Sequence, residues 1–326
     1  MNTPQRLASI ALGAAALLLS IAAAAQTYPA KPVRMIMPFP AGSGVDYVAR
    51  ILSSELGETW TAQTLIDNRP GASGIVAINE FKRSAPDGYN LLLAANDQLV
   101  VNRAVYKTLP YDVDKDMVMV AGIYKSTFVV AASAASGIKS VADLISVAKK
   151  RPGNLTYATL GKGTLGHISG EQFSVDSGIS LLHVPFREMG QLNTAVGSGE
   201  VDLTFLTMAS LDSQIKAGRV LPLASASVKR QVYYPDVPTM AEAGGPSPFE
   251  VNGWLAIMAP RGTPQPVIDK LQADVLNVVR SDAFRTKIAA LGFEPWAVKT
   301  DEIQKTAADE LQRYKKIAAR PGMQLD

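Results

Sequence analysis

The stretch Val33-Arg34-Met35-Ile36-Met37-Pro38-Phe39-Pro40-Ala41-Gly42-Ser43-Gly44-Val45-Asp46 decides how the chain is read. Its first five residues, apolar apart from Arg34, read as a buried strand. Beyond it Val45, Val48, Ile51, Leu52 and Leu56 recur at helical spacing, so 44–56 reads as a helix. Gly42 and Gly44 lie between them and permit backbone shapes closed to other residues. A strand that turns through glycines into a helix points the helix's free N–H groups, and the positive end of its dipole, at one spot. Such a spot suits a carboxylate or a phosphate. The plainer reading is a tight turn in which Asp46 merely complements the dipole.

Outward from this unit the alternation continues. Strands are predicted at 64–66, 90–95 and 117–123, with a helix at 73–83 and a turn at Pro86-Asp87-Gly88. The pattern then restarts. Strands are expected at 128–132, 155–159, 181–185, 201–206 and 221–226, and helices at 141–150, 164–174, 190–196 and 209–217. After the Pro/Gly-rich stretch 235–248 come a strand at 251–258 and three helices ending near 320, which could cap either block. Strands alternating with helices predict mainly parallel sheets covered on both faces, and two successive blocks predict two of them. In such sheets ligands sit beyond the carboxyl ends of the strands, where loops carry the recognition chemistry.

Composition narrows the chemistry. The chain has 326 residues, 47% hydrophobic and 19% charged, which excludes wholesale disorder and suggests about two domains. Lys plus Arg is 32 and Asp plus Glu is 29, a balance of +3 that does not suggest a nucleic-acid partner. There is no cysteine, hence no disulfide, thiolate nucleophile, Cys-ligated metal or lipid-modified N-terminal cysteine. The two histidines, His167 and His183, are too few for a His-rich metal site, and no metal or cofactor is expected. Residues 1–25 carry Arg6, then an uncharged Ala/Leu run, then Ala23-Ala24-Ala25, which is the pattern of a cleaved secretory signal peptide. An uncleaved membrane anchor is the competing reading; the Ala-rich run favours cleavage. Export to the periplasm makes nucleotide cofactors scarce.

Two further loops could hold an anion. Thr159-Leu160-Gly161-Lys162-Gly163-Thr164-Leu165-Gly166-His167 contains G-x-G-x-x-G between a strand and a helix, with Glu188 about twenty residues on. A dinucleotide reading is rejected because the protein is exported and Lys162 would crowd the pyrophosphate turn. What survives is an anion site of glycines, backbone donors, a helix N-terminus and a lysine, with His167 either a donor or a packed side chain. His183-Val184-Pro185-Phe186-Arg187-Glu188 ends a strand. Arg187 could grip a carboxylate bidentately or simply pair with Glu188. Asn96-Asp97, after the third strand, is a further candidate or a helix cap. No nucleophile elbow and no H-E-x-x-H motif occur, so no catalytic residues are assigned. The loops read as a binder's, not an enzyme's.

The motifs Tyr28-Pro29-Ala30-Lys31-Pro32-Val33-Arg34, Pro38-Phe39-Pro40-Ala41-Gly42, Asn68-Arg69-Pro70-Gly71-Ala72 and Pro86-Asp87-Gly88-Tyr89 have ordered counterparts farther on. These are Leu109-Pro110-Tyr111-Asp112, Lys150-Arg151-Pro152-Gly153, Gly161-Lys162-Gly163-Thr164, His183-Val184-Pro185-Phe186, Pro235-Asp236-Val237-Pro238-Thr239 and Ala259-Pro260-Arg261-Gly262-Thr263-Pro264. Together they resemble the Bug-type solute-binding proteins of tripartite tricarboxylate transporters, over essentially the whole chain after residue 25. The resemblance implies a type II periplasmic-binding-protein fold: two α/β domains, 26–126 plus 250–326 and 127–249, a two-segment hinge and a ligand cleft. It implies a small carboxylate ligand held by Phe39, Ala41, Gly42, Ser43 and Gly44 on one side. Thr159, Gly161, Lys162, Gly163, Thr164 and His167 would hold it on the other, with Asn96 and Arg187 as further candidates. It implies a membrane permease of a large and a small subunit as partner, and a monomer. Val45, Lys162, Arg187 and Leu206 depart from the usual pattern toward a more positive cleft. That favours a dicarboxylate or aromatic carboxylate without an amino group. A sensory receptor on the same fold, or a secreted α/β hydrolase, are the alternative functions.

Overall fold

The computed structural model describes residues 28–232, 234–319 and 323–325; the export segment read at 1–25 lies outside them. The chain runs through β1 (Val33–Met37), α1 (Gly44–Trp60), β2 (Thr64–Asn68), α2 (Ile75–Phe81) and β3 (Asn90–Ala95). A wide helical turn at Asp97–Val101 leads into α3 (Asn102–Val105), then α4 (Val113–Asp116) and the 17-residue β4 (Met117–Ser133). There follow α5 (Val141–Lys150), β5 (Thr156–Thr159), α6 (Leu165–Asp176), β6 (Leu182–Pro185), α7 (Met189–Ser198), β7 (Leu203–Thr207), α8 (Met208–Lys216) and β8 (Val220–Ser225). The chain closes with β9 (Asn252–Pro260), α9 (Gln265–Arg280), α10 (Asp282–Ala289), β10 (Glu294–Pro295) and α11 (Thr300–Ala318).

The strands join in the order β2-β1-β3-β9-β4-β7-β5-β6, with β8 and β10 also paired to β4. Parallel pairing holds β1 to β2 and β3, and β5 to β6 and β7. Every pair involving β4 or β9 is antiparallel. The sheet is therefore mixed rather than mainly parallel. The segments 117–123 and 128–132, expected as two strands, are one. Polar Lys125, Ser126 and Thr127 interrupt the apolar pattern, but their backbone pairs with Trp254, Gly253 and Asn252 and carries the strand through. At Phe128 the partner changes from β9 to β7. β4 is thus shared by the two blocks, which meet in one continuous ladder instead of two separate sheets.

Alternating residues show why the sheet is covered on both faces. Met35, Leu91, Leu93, Leu255 and Ile257 point into one core with α1, α9 and α10. Their neighbours Ile36, Leu92, Ala94, Ala256 and Met258 point into another. That second core continues under the other block through Val130, Ala132, Tyr157 and Phe205 and includes Ile303, Leu311 and Tyr314 of α11. The last helix, left open by the sequence, packs against β4, the 97–105 turn and α6 together. Among the described residues no helix is long and apolar enough to cross a membrane.

Candidate functional site

The first loop is built by its own chain. Ser43 caps α1, its Oγ accepting from the Asp46 amide at 3.2 Å. Asp46, 1% exposed, then braces the turn from behind. Its Oδ2 accepts from Gly42 N and from Arg50 Nε, each at 2.9 Å, and its Oδ1 accepts from Asn68 Nδ2 at 2.9 Å. Asn68 also donates to the Phe39 carbonyl at 3.0 Å. Burial pushes the Asp46 pKa up, but the hydrogen bonds from Arg50, Gly42 and Asn68 outweigh it and hold the carboxyl below its ordinary range. Gly42 has φ +78°, a left-handed conformation that suits glycine. Among the described residues nothing accepts from the amides of Gly44 or Val45. Phe39, half-buried, packs on the core below, while Ala41, Gly42 and Gly44 are exposed around Ser43. The loop offers free N–H groups at a helix N-terminus, the arrangement that receives an anion.

The second loop is assembled in the same way. Thr164 caps α6, accepting from His167 N at 3.4 Å and donating to the Gly161 carbonyl at 2.8 Å. Thr159, buried at the end of β5, accepts from Gly161 N at 3.3 Å. Gly163 takes φ +76° and donates to His167 Nδ1 at 3.3 Å. His167 therefore caps the loop from inside through an acceptor nitrogen. His183 lies against it, ring centroids 4.3 Å apart, with Nε2 2.7 Å from Thr159 Oγ1. Burial drives the pKa of both imidazoles down, that of His183 to about 3, so both are neutral. Sequence separation hid this pair: one ring comes from a helix and the other from a strand. The amides of Lys162, Thr164 and Gly166 have no acceptor among the described residues.

Lys162 and Arg187 are both exposed, and among the described residues neither forms an ion pair. The expected alternative of an Arg187–Glu188 pair is thus not formed. Asn96 lies elsewhere than on a loop surface. It is fully buried, its Nδ2 donating to the Asn252 carbonyl at 2.8 Å and to Glu310 Oε2 at 3.2 Å, and its Oδ1 accepting from Trp254 N at 3.3 Å. Its amide is spent on tying β3 to β9 and α11. The next residue does reach the second loop: Asp97 Oδ1 accepts from Leu165 N at 2.8 Å.

One loop went unread. After β2, Ala72 and Ser73 have φ +45° and +51°, between Gly71 at +127° and Gly74 at +92°. Left-handed backbone at two non-glycine residues costs free energy, and it is maintained by Tyr106 Oη donating to Ser73 Oγ and Asn102 Nδ2 donating to the Ser73 carbonyl, both at 3.0 Å. Gln98 packs against Gly74, so this turn adjoins the 97–101 turn. The signal was present as Gly71-Ala72-Ser73-Gly74, two glycines just after a strand, the same signature as the other loops. Two open surface hollows, of about 700 and about 320 Å³, are lined by other residues than those of the glycine loops. One follows edge strand β2, and the other is bordered by Lys125, Lys229, Arg230, Glu250 and Glu294.

The family model described as tripartite tricarboxylate transporter family receptor matches residues 48–323. Protein BugT of Bordetella pertussis is 31% identical over 326 residues, covering 100% of both chains. The structure of R. palustris Rpa4515 with adipate superposes with a TM-score of 0.84 at 31% identity, over 89% of this chain and 97% of that one. MatC from Rhodopseudomonas palustris with bound malate gives a TM-score of 0.80 at 27% identity, over 89% and 100%.

Proposed function

Because the chain belongs to the tripartite tricarboxylate transporter receptor family, with the fold of its periplasmic binding proteins, we propose that it captures a small carboxylate between its two glycine loops. A dicarboxylate or an aromatic carboxylate is favoured. The ligand is then delivered to a membrane permease of a large and a small subunit. The receptor works as a periplasmic monomer after loss of residues 1–25. Domain 1 is 26–126 plus 250–326 and domain 2 is 127–249, with β4 and β9 as the hinge. The family and its structural neighbours are binding proteins rather than enzymes.

The observation that carries this reading is the free donors of two helix N-termini, with two unpaired cations beside the second. Gly44 and Val45 amides serve one carboxylate oxygen pair; Lys162, Thr164 and Gly166 amides serve the other end, with Lys162 and Arg187 adding charge. Phe39, Ala41, Gly42, Ser43, Thr159, Gly161, Gly163 and His167 shape the two cradles. Charge-assisted hydrogen bonds contribute about 1.5–3 kcal/mol each, and micromolar affinity needs about 8 kcal/mol. A handful of aligned donors therefore suffices. The neighbours solved with adipate and malate make dicarboxylates natural first probes.

Gly42→Asp tests the assignment. A Cβ at Gly42 meets nothing within 4 Å, and the left-handed backbone strains Asp and Asn alike, so comparing the two isolates the effect of a carboxylate where the ligand's should sit. Asn tolerates the left-handed backbone and has the same shape without the charge. Calorimetry should find Gly42→Asp at least about 100-fold weaker than wild type, the loss of one to two such bonds, and Gly42→Asn much closer to wild type. Equal affinities for the two variants would remove the first loop from the site.

A further inference from the structure

We propose that Asp97 is a specificity-determining residue of the cleft, where its carboxyl group and a ligand carboxylate share one proton, so that capture of the anion is proton-linked. This rests on the carboxylate-receptor reading above.

Asp97 leaves the sheet just after β3 and reaches across to α6, where its Oδ1 takes the Leu165 amide at 2.8 Å. Its chain neighbours Asn96 and Gln98 are buried, whereas Asp97 itself is partly exposed. Apart from the Leu165 amide and Asp97's own amide, among the described residues nothing donates to the carboxyl group, and no basic side chain pairs with it. One oxygen is fixed at the helix N-terminus while the other is left for whatever enters the second loop. Around it stand Tyr111, Tyr124 on β4 and Tyr314 on α11, all neutral, each made harder to ionise by burial first and then, among lesser causes, by the Asp97 charge. Glu310 and Arg313 of α11 lie behind Asn96. On the α6 side are neutral His167 and exposed Lys162.

Lys162 and Arg187 draw a ligand carboxylate to this loop, where the amides of Lys162, Thr164 and Gly166 await it. That carboxylate then lies beside Asp97. Burial already raises the Asp97 pKa, with the Leu165 amide and Asp97's own amide offsetting part of the shift. Two carboxylates in contact do not both stay ionised. One proton, taken from water, bonds to Oδ2 and is donated to the ligand oxygen, turning a repulsion into a short hydrogen bond. Ligands with a neutral group at this end gain nothing from that proton, which is how Asp97 discriminates.

Calorimetry with adipate and malate, from about pH 6.5 to about pH 8.5 where both probes are ionised, tests this in two buffers of different ionisation enthalpy. Wild-type affinity for at least one probe should fall with rising pH, by up to about tenfold per unit, with proton uptake per ligand approaching one. Asp97→Asn keeps an acceptor for Leu165 N and supplies a permanent donor in place of the shared proton. It should bind with no pH dependence, and at pH 8.5 at least as tightly as wild type. Binding by wild type with no proton uptake would overturn the proposal while leaving the receptor reading intact, and needs no variant to observe. Failure of both probes and of every other carboxylate to bind wild type would overturn the receptor reading and this proposal with it.

Discussion

At the scale of single residues, Glu310 is an acid held in an environment unlike water. It is 6% exposed, its Oε2 accepts from Trp254 Nε1 at 3.0 Å and Asn96 Nδ2 at 3.2 Å, and Arg313 comes no nearer than 4.0 Å. Burial pushes its pKa up from 4.5 to about 7, the two donors and Arg313 opposing only part of the shift. Between those values the folded protein holds a proton that the unfolded chain has released, so stability falls as pH rises through that window. Folding is favoured most below pH 4.5 as far as this group is concerned, and its contribution is lost by about pH 7 and above. At 1.36 kcal/mol per unit the effect is on the order of 3 kcal/mol. Urea denaturation of Glu310→Gln should show that slope removed, with the variant at least as stable as wild type at pH 8. A variant retaining the full wild-type pH dependence would clear Glu310 of the role. Nothing near residue 310 in the sequence announces this: the partners Asn96 and Trp254 lie 214 and 56 positions away. Asp97 was legible as a candidate after the third strand, but the same kind of distance hid its partner Leu165, 68 positions away.

Elements were easier to read, because the signals that start them are local. Ser43 and Thr164 each sit one residue before a helix and behind a glycine turn, and each turns out to be the cap. Asp46 was legible as a first-turn acid; its role as the brace of the whole loop was not, since that depends on Asn68, brought alongside by the β1–β2 pairing. Asp46→Ala leaves the Gly42 amide without its acceptor and takes from the Asn68 side chain one of its two. The cost is about 1–3 kcal/mol for groups stranded by loss of a buried partner. Chemical denaturation should show that loss, and carboxylate affinity should drop with it because the first cradle loses its shape. Asp46→Asn, which can accept but lacks the charge, should fall between. If Asp46→Ala bound ligand as wild type does, the loop would owe its form to the glycines alone. Ser73 and Gly74 of the 72–74 turn were read as the start of a helix because these small residues carry no mark of left-handed backbone; hydrogen bonds from Tyr106 and Asn102 hold it.

The whole molecule is organised by β4. Its alternation of strands and helices into two blocks was visible in hydrophobic periodicity, and so was coverage of both faces. That the blocks share one strand was not, because Lys125, Ser126 and Thr127 look like a linker until β9 returns from the far end of the chain to pair with them. The return of the C-terminus followed from family resemblance, and α11 lies against elements of both blocks. In the proposed function, β4 and β9 form a hinge with an anion loop on either side, a device for closing on a small charged ligand. Closure buries the ligand's charge against preset donors, so binding stabilises the folded, closed form in proportion to occupancy. The most direct measurement is a thermal-shift screen of the purified protein, lacking residues 1–25, against mono-, di-, tri- and aromatic carboxylates alongside free amino acids. One or more carboxylates without an amino group should raise the melting temperature in a concentration-dependent way, with dicarboxylates or aromatic acids foremost. Stabilisation by amino acids alone, or by no carboxylate at all, would contradict the account.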